Sequence, residues 1–399
     1  MTLDLTKARA VLKTLYTQKE IQNLCYKNHP WLALIPKMEM FYGFNMQVPV
    51  VYGSNRGRSS SFARAQANKG SSKYGAFFIT RAKDYSIAAF DGETIESSEN
   101  DKGAFVNLLK QEIDGAMMSA AQSDSQAIWG NGSGSIGQIA TGGISGNVLT
   151  LSDVEDIIHY EVDQVLEAAA AETTGGTRSG RMTVVAVDRD LGTIEVDTKS
   201  TSLAAGDYLF TDGDRNSKMS GFNAWVPSTA PTSGDSFFGL DRSVDPTRLG
   251  GVRFDGSGMS TEEALVKGLS RIGREGARPD FAFMNSGNMG DLLLELGSKV
   301  NYVDVKSPYA DIGFRGVQVH SGKRSITVLE DDNVASNQIS VVTRNTWRLD
   351  SLKAPIRILD LDGNKFLREN DSDGYELRIG GYKQVECNAP AYNMTIALS

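Results

Sequence analysis

From Asp101 to Gly130 the chain reads DKGAFVNLLKQEIDGAMMSAAQSDSQAIWG, its longest uninterrupted helical pattern. Apolar residues fall at Phe105, Leu108, Leu109, Ile113, Met117, Ala120, Ala121 and Ile128. Spacings of three and four place them on one face of a helix. Lys110, Gln111, Asp114, Gln122 and Ser123 take the other face. Ser98 precedes the pattern as an N-cap, with Asp101 three residues on in a weak form of the capping box. Gly130, Gly132, Gly134 and Gly137 end it. At ~1.5 Å per residue this makes a rod of roughly 40 Å. A single apolar stripe on so long a rod needs a flat partner, such as a sheet. Gly115 sits mid-helix at a cost of ~1 kcal/mol relative to Ala, which implies a close neighbour or a bend. The rest of the chain divides around this helix into an extended basic arm before it and a glycine-punctuated body after it.

The 399 residues allow two or three domains, and 40% hydrophobic content is enough for real cores. Nothing approaches the run of ~18 apolar residues needed to span a bilayer. The opening MTLDLTKARAVLKTLYTQKE alternates charged and apolar residues and has no signal-peptide core, so synthesis in the cytoplasm is expected. Cys25 and Cys387 give neither a disulfide framework nor a metal spacing. Only His29, His159 and His320 offer imidazole chemistry. A net charge of −8 argues against general nucleic-acid binding, which needs a basic surface. With 41 glycines against 10 prolines, the body reads as β-rich with many turns.

Residues 1–27 read as one or two amphipathic helices. Asn28-His29-Pro30 breaks that pattern, and Trp31-Leu32-Ala33-Leu34-Ile35-Pro36 follows as an apolar hook. Such a hook needs a surface to bury it, and another copy of the chain is a candidate. Residues 44–90 read as a long hairpin, with Phe44–Tyr52 going out and Tyr74–Phe90 returning around a polar, flexible tip. Between Met40 and Lys83 there is no acidic residue, but there are Arg56, Arg58, Arg64, Lys69, Lys73, Arg81 and Lys83. A run of like charge is commonly just a solvated loop. A long, weakly anchored basic hairpin on an acidic chain nevertheless calls for an acidic counter-surface. A neighbouring subunit fits better than nucleic acid, because only this arm is basic.

Past the helix, Asn147–Leu151, Met182–Val187, Gly192–Val196 and Asp207–Thr211 are short alternating segments. Asp190-Leu191-Gly192 and Asp212-Gly213 are hairpin signals. His159–Ala171 is ambiguous between helix and strand, with strand favoured by its neighbours. The whole predicts a small inserted β-barrel. Residues 221–258 are loop-rich. Ser260-Thr261-Glu262-Glu263 is a capping box opening a helix to about Gly276, with Ala264, Leu265, Leu269 and Ile272 as its core face. Phe281–Met284 is a buried strand, and Asn285 or Ser286 caps another helix to Gly297. Strands follow at Val317–His320, Ile326–Leu329, Ile339–Thr343, Ile356–Leu361, Tyr375–Cys387 and Tyr392–Leu398.

Motifs for chemistry are thin. Gly132-Ser-Gly134-Ser-Ile-Gly137 fits G-x-G-x-x-G, but a helix precedes it where a nucleotide fold requires a strand, so it reads as a flexible helix exit. Asp360-Leu-Asp362-Gly363-Asn364 resembles a calcium loop, yet Lys365 and Asp371 stand where glycine and glutamate belong. Asp212, Asp214 and Asn216 fail in the same way, with Ser217 and Asn223. No G-x-S-x-G presents a serine to His159 or His320, and Asp331 and Asp332 are adjacent in a loop and point apart. No catalytic, cofactor-binding or metal site is nominated, and the expectation is a non-enzyme without cofactor.

Five stretches are more distinctive. They are Gly206-Asp-Tyr-Leu-Phe; Gly221-Phe-Asn-Ala-Trp225-Val-Pro227; Phe238-Gly-Leu-Asp241-Arg242-Ser-Val-Asp245-Pro246-Thr-Arg248-Leu-Gly-Gly-Val-Arg253; Gly273-Arg-Glu-Gly276-Ala-Arg-Pro279-Asp with Phe283-Met-Asn; and Arg357 to Arg368. Through them the chain resembles the major capsid proteins of tailed double-stranded DNA bacteriophages, and with Asn28–Lys37 the resemblance extends over nearly the whole chain. The resemblance implies an α+β fold of that family: residues 1–43 an N-terminal arm, 44–92 an extended β-hairpin loop reaching onto a neighbour, 93–137 a spine helix. That helix would pack on the antiparallel sheet of a peripheral domain completed by 345–386. An axial mixed α/β domain would span 138–344 with the barrel inserted at 145–220, and 387–399 would be its return strand.

The implied function is self-assembly into hexamers and pentamers of an icosahedral head enclosing double-stranded DNA. The implied location is the virion, with assembly in the host cytoplasm. Partners would be copies of itself, a separate scaffolding protein, a portal, a cement or decoration protein, and DNA held without sequence-specific contact; no membrane is implied. Arg56, Arg58, Arg64, Lys69 and Lys73 would make inter-subunit contacts, opposite Asp91, Glu93, Glu96, Glu99 and Asp101 on a neighbour. The competing readings are a tail or baseplate protein, or a partner- or carbohydrate-binding module in which Tyr160, Phe210, Phe222 and Trp225 form an aromatic platform.

Overall fold

The computed structural model describes residues 18–91, 102–321, 324–360, 363–369 and 373–398. Two short helices open it, α1 (Gln18–Tyr26) and α2 (Pro30–Leu34). Pro30 presets the first turn of α2, where a missing N–H costs nothing. The apolar hook does not wait for a second copy. Trp31 is fully buried within its own chain, with ring centroids 6.1 Å from Trp129, 5.4 Å from Phe283 and 6.2 Å from Trp347. Such aromatic pairs add ~0.5–1.5 kcal/mol each beyond area burial, which makes α2 a plug in the main core.

Strand β1 (Lys37–Met38) leads to β2 (Asn45–Gly53) and β3 (Lys73–Thr80), paired antiparallel from Asn45 opposite Thr80 to Gly53 opposite Lys73. Their tip is not merely flexible, since it contains helix α3 (Phe62–Ala67). The expected single return strand is two strands in two sheets. At Arg81 the chain turns, its guanidinium donating to the carbonyls of Phe41 at 2.8 Å and Gly43 at 2.6 Å. Beyond that corner β4 (Ala82–Asp91) leaves β2 for a different partner.

Helix α4 runs from Lys102 to Trp129, while Ser98 and Asp101 lie outside the described residues. Ile113, Met117, Ala121 and Ile128 are buried, as their spacing predicts. Gly115 is exposed, and a Cβ there would meet nothing within 4 Å, so close approach is not its reason. A closed barrel follows: β5 (Ser135–Ser145), β6 (Val148–Leu151), β7 (Val165–Ala169), β8 (Met182–Asp188), β9 (Thr193–Val196) and β10 (Tyr208–Thr211), in the order β10-β5-β6-β9-β8-β7. It starts at Ser135 rather than 145, because the glycines taken for a loose exit make a tight turn into β5. Gly134 has φ +79°, and a Cβ there would lie 2.5 Å from the Asp214 carbonyl oxygen. Of the ambiguous 159–171 stretch, only Val165–Ala169 is strand; Val154–His159 is a 3₁₀ turn capped by Asp153. The barrel core holds Leu149, Leu166, Met182, Val184, Ile194 and Leu209.

Next come α5 (Phe222–Trp225), the small hairpin β11 (Ser236–Phe237) and β12 (Leu240–Asp241), α6 (Pro246–Gly250) and β13 (Val252–Asp255). Helix α7 (Thr261–Ile272) starts where the capping box places it, the Ser260 side chain accepting from the Glu263 N–H. Strand β14 (Phe281–Met284), helix α8 (Ser286–Leu296) capped by Asn285, β15 (Tyr302–Lys306), β16 (Gly313–Ser321), β17 (Arg324–Glu330) and β18 (Gln338–Val342) follow. The chain closes with β19 (Trp347–Ser351), β20 (Arg357–Ile358), β21 (Phe366–Arg368), β22 (Gly374–Cys387) and β23 (Met394–Ala397).

Two large sheets organise these strands. One has seven, in the order β13-β23-β18-β14-β17-β16-β15, with β13/β23 and β14/β17 parallel. Ala264, Leu265, Leu269 and Ile272 of α7 share its core with Ala282, Met284, Ile339 and Ile396. The other is built on β22, which pairs with β4 over ten positions and with β19, β20 and β21 along its other side; β1 adds parallel to β19. The buried residues of α4 lie in one core with Leu377, Ile379 and Val385 of β22. The α4 stripe also contains an ion: Asp124 is 1% exposed, bonded to the Lys383 ammonium, which also donates to the Pro355 carbonyl at 3.1 Å.

Candidate functional site

The β2–β3 hairpin alternates strictly. Val48, Val50, Phe77 and Ile79 are buried, while Gln47, Pro49, Val51 and Phe78 are exposed. One face is therefore packed and one presented. The packed face is not weakly anchored. Phe77 stands 4.9 Å from Trp225 and 6.0 Å from Phe237 between ring centroids. The Phe78 N–H donates to the Phe238 carbonyl at 2.9 Å, and the Arg248 guanidinium donates to the Tyr52 carbonyl at 2.6 Å. The polar contacts of this bracket come from the Phe238–Arg253 run, and the rings come from Trp225 and Phe237 before it. Arg242 lies over the Phe237 ring at 4.2 Å and donates to the Ala224 carbonyl at 2.6 Å, while Asp245 accepts from the Arg248 N–H at 2.9 Å.

Residues 54–72 lie past the last bracketing contact, and every hydrogen bond they make stays within the tip. Arg56, Arg58, Arg64, Lys69 and Lys73 are all exposed, and none makes an ion pair among the described residues. Phe62 beside them is 83% exposed. Of the nineteen large apolar residues that are exposed among the described residues, ten lie between Met38 and Ile87. That concentration marks this segment as the surface with the most to gain from a partner. Of the acidic residues expected to face it, Asp91 ends β4, and Glu93, Glu96, Glu99 and Asp101 lie outside the described residues.

A second feature was not anticipated. A groove of about 970 Å³ runs between the outer side of α4 and the barrel. Its walls include Met118 and Gln122 of α4, Tyr85 of β4, His29, Glu161–Asp163 of the barrel, and Asp332. A smaller cavity of about 370 Å³ adjoins it, reaching Asp153, Asp156 and Glu172. At its floor the Lys218 ammonium bonds Asp84 at 2.9 Å, Asp214 at 3.0 Å and the Ser123 hydroxyl at 2.8 Å, tying barrel, β4 and α4 together. Burial would raise the Asp84 carboxyl, but Lys218 and Lys383 outweigh it and hold it below its ordinary value. Burial pushes Asp124 up to about 6 against the pull of Lys383. Asp156 is pushed to about 7 by burial, with Asp153 and Glu155 adding repulsion. Burial lowers His29 and His159 to about 4, so both are neutral near pH 7.

The remaining motifs resolve as structure. Asp212 pairs with Arg181 at 2.9 Å, and Asn216, at φ +56°, donates to the Thr173 carbonyl at 3.1 Å, so that stretch is a turn. Asp362 of the other partial calcium motif lies outside the described residues. Among the described residues no cluster of His, Cys, Asp and Glu is arranged to hold a metal ion, and no helix is long and apolar enough to cross a membrane. Asp331 is buried and Asp332 exposed, so the two do point apart. Tyr160, Phe210, Phe222 and Trp225 are each 0% exposed and build cores, which removes the aromatic platform. Cys25 and Cys387 are free and buried, their thiols pushed up to about 12 by burial.

No family model and no curated protein matches the sequence. Solved structures do match the fold. A chain of the cyanophage A-1(L) capsid asymmetric unit superposes with a TM-score of 0.52 at 11% identity, over 92% of each chain. The capsid of a native GTA particle gives 0.46 at 9% identity, covering 93% of this chain and 90% of that one. Mycobacterium phage Bobi gives 0.42 at 10% identity over 98% of both chains. The chain therefore has the fold seen in the cyanophage A-1(L) capsid.

Proposed function

We propose that this chain is the major capsid protein of a tailed double-stranded DNA bacteriophage, a structural subunit that assembles with copies of itself into hexamers and pentamers of an icosahedral head. The observation that carries the reading is the cyanophage capsid fold spanning 92% of the chain end to end. The exposed hairpin supports it, since a braced arm that presents cations and apolar residues to solvent suits repeated contact between copies. In this reading α4 is the spine helix and its sheet the peripheral domain. The seven-stranded sheet with α7 and α8 is the axial domain, into which the barrel is inserted. Portal, scaffolding and decoration proteins would be its partners in the virion, and assembly would take place in the host cytoplasm. DNA would be enclosed without sequence-specific contact, and no catalysis is involved. Many modest interfaces per subunit give a shell that is stable when closed yet correctable during growth.

Negative-stain microscopy of the chain, expressed alone and then with the products of neighbouring genes, tests the reading. Closed or aberrant shells, or rings of six and five, are expected. A monodisperse monomer or dimer under both conditions would overturn it. The triple variant Arg56→Glu, Arg58→Glu, Arg64→Glu should keep the circular dichroism of the parent and yield no particles. Normal particle yield from it would remove the hairpin from the assembly contact.

A further inference from the structure

The charge of this protein is unevenly placed. Residues 135–220, the barrel and its exit, contain 14 acidic and 6 basic residues, a net of −8 that equals the charge of the entire chain. Part of that charge faces inward. The cavity of about 370 Å³ between the α4 exit, the barrel and residues 332–337 is lined by Asp153, Glu155, Asp156, Glu172 and Asp332, and by one cation among the described residues, Lys218. Lys218 is consumed by Asp84 and Asp214. Asp153 and Glu172 are occupied as well. The first accepts from the Glu155 N–H and the Ser336 hydroxyl, the second from the Asn131 amide at 2.8 Å. Asp156 differs from both. The charges that act on it are those of Asp153 and Glu155, of its own sign, with no cation among them.

We propose that this cavity, with the groove it adjoins, binds an aliphatic oligoamine, one ammonium seated between Asp156 and Tyr160 and a second beside Asp332 and His29. Two buried polar groups without a partner among the described residues mark the two ends. The Tyr160 hydroxyl, on a residue 0% exposed, is one of them. A Cβ on Gly137, in the cavity wall, would lie 2.7 Å from that hydroxyl and 3.3 Å from an Asp156 carboxylate oxygen. Phenol and carboxylate therefore converge on one spot, which glycine leaves open. His29 is the other: it is 9% exposed and lines the groove with its Nδ1 unpartnered. Asp332 lines both spaces and is close enough to act on the His29 charge. An ammonium brings three donors and a positive charge, which a phenol oxygen, an imidazole nitrogen and two carboxylates accept. A metal ion does not suit the place, since no cluster of ligating side chains is arranged for one among the described residues. A volume of about 370 Å³ lies within the ~300–1,000 Å³ of small-molecule sites. Met118 and Val162, exposed along the groove, give the methylenes of such a ligand an apolar wall. A bound oligoamine would join α4, the barrel and the loop after β17, and so clamp the barrel to the body.

Isothermal titration calorimetry of the full chain with spermidine, at constant ionic strength, tests the site. One spermidine per chain is expected, with an affinity that rises several-fold from pH 6 to pH 8. Asp156, pushed to about 7, gains its charge across that interval, while a primary ammonium, near ~10.4 in lysine, keeps its own. His29 and His159, lowered to about 4, stay neutral throughout, and Lys218 stays charged. Asp156→Asn should cut the affinity at pH 8 at least tenfold and flatten its pH dependence. Tyr160→Phe should weaken binding and leave that dependence in place. Butylamine, with one ammonium, should bind the parent at least tenfold more weakly than spermidine, and equal affinities would overturn the two-point seat. Glu195→Gln removes an exposed barrel charge outside the cavity and should change nothing. Equal weakening by Glu195→Gln and Asp156→Asn, or titration without saturation, would mean diffuse attraction to an acidic surface and would overturn the site. Displacement of spermidine by equimolar magnesium chloride would overturn the amine as its occupant. None of these readouts requires particles, so their failure leaves the assembly reading standing, and failure of the chain to form particles leaves this site standing.

Discussion

Asp156 shows how the seam between barrel and body is poised. It lies in the 3₁₀ turn Val154–His159, with Asp153 and Glu155 as neighbours, and is pushed to about 7 chiefly by burial. An unfolded aspartate titrates near ~3.9. The folded value is raised, so the unfolded chain releases its proton first as pH climbs. The stability tied to the neutral acid is complete below ~4 and is lost as pH rises through about 7. Asp156→Asn keeps the neutral shape and cannot ionise. Parent and variant should therefore share a urea midpoint at pH 4, and the variant should lead at pH 8 by on the order of 2–4 kcal/mol. A difference that stays constant with pH would show that the carboxylate is charged throughout. Residues of this kind were invisible in the sequence. Asp124 interrupts an otherwise legible apolar stripe because its partner, Lys383, is 259 positions away. Lys218 has Asp214 four residues before it, but its other partner, Asp84, lies 134 positions away and is brought beside it only by the fold. Pairing across that separation leaves no local pattern, whereas the exposed tip cations were legible because nothing in the fold claims them.

Elements whose stabilising contacts are local were read well. Helix α4 carries its own periodicity and α7 both its periodicity and its Ser260 cap, and both stand within a few residues of the expected bounds. Among the strands that escaped notice, β15, β19 and β21 are three to five residues long and take their identity from β16 and β22. β4 was misassigned for the same reason: its alternation continues that of β3, and only the corner at Arg81 and the ten-residue match to β22 separate them. Glycines make the distinction measurable. Gly115 has open space around it, so Gly115→Ala should stabilise the protein by ~0.5–1 kcal/mol through helix propensity alone. At Gly221 a Cβ would fall 2.3 Å from the carbonyl oxygens of Ala127 and Ile128, at the end of α4. Gly221→Ala should cost ~1–3 kcal/mol or more, because backbone cannot yield as a side chain does. Thermal unfolding of the two variants checks the pair, and equal shifts in either direction would contradict this account of the α4 exit.

At the scale of the whole molecule, two electrostatic effects of opposite sign govern how copies meet. Subunits of net charge −8 repel one another across their full width, while in the proposed assembly the basic hairpin attracts an acidic surface of a neighbouring copy only at contact. Their ranges differ, so salt separates them. The screening length is ~30 Å at ~0.01 M, ~8–10 Å near physiological ionic strength and ~3 Å at ~1 M. Adding salt from the low end removes the long-range repulsion first, because a contact closed around Phe62 and the other exposed apolar residues of the hairpin is partly shielded from ions. Only near ~1 M does screening reach the contact itself. The rate of particle formation followed by light scattering should rise to a maximum near ~0.1–0.2 M sodium chloride and then fall. Circular dichroism of the subunit should stay flat across the series, since the buried pairs Lys383–Asp124 and Lys218–Asp84 are screened little. The triple hairpin variant should show no falling limb in whatever residual association it retains, because the attraction that high salt weakens is already gone. A rate that climbs without a maximum in the parent would mean that Phe62 and its apolar neighbours hold the hairpin unaided by charge.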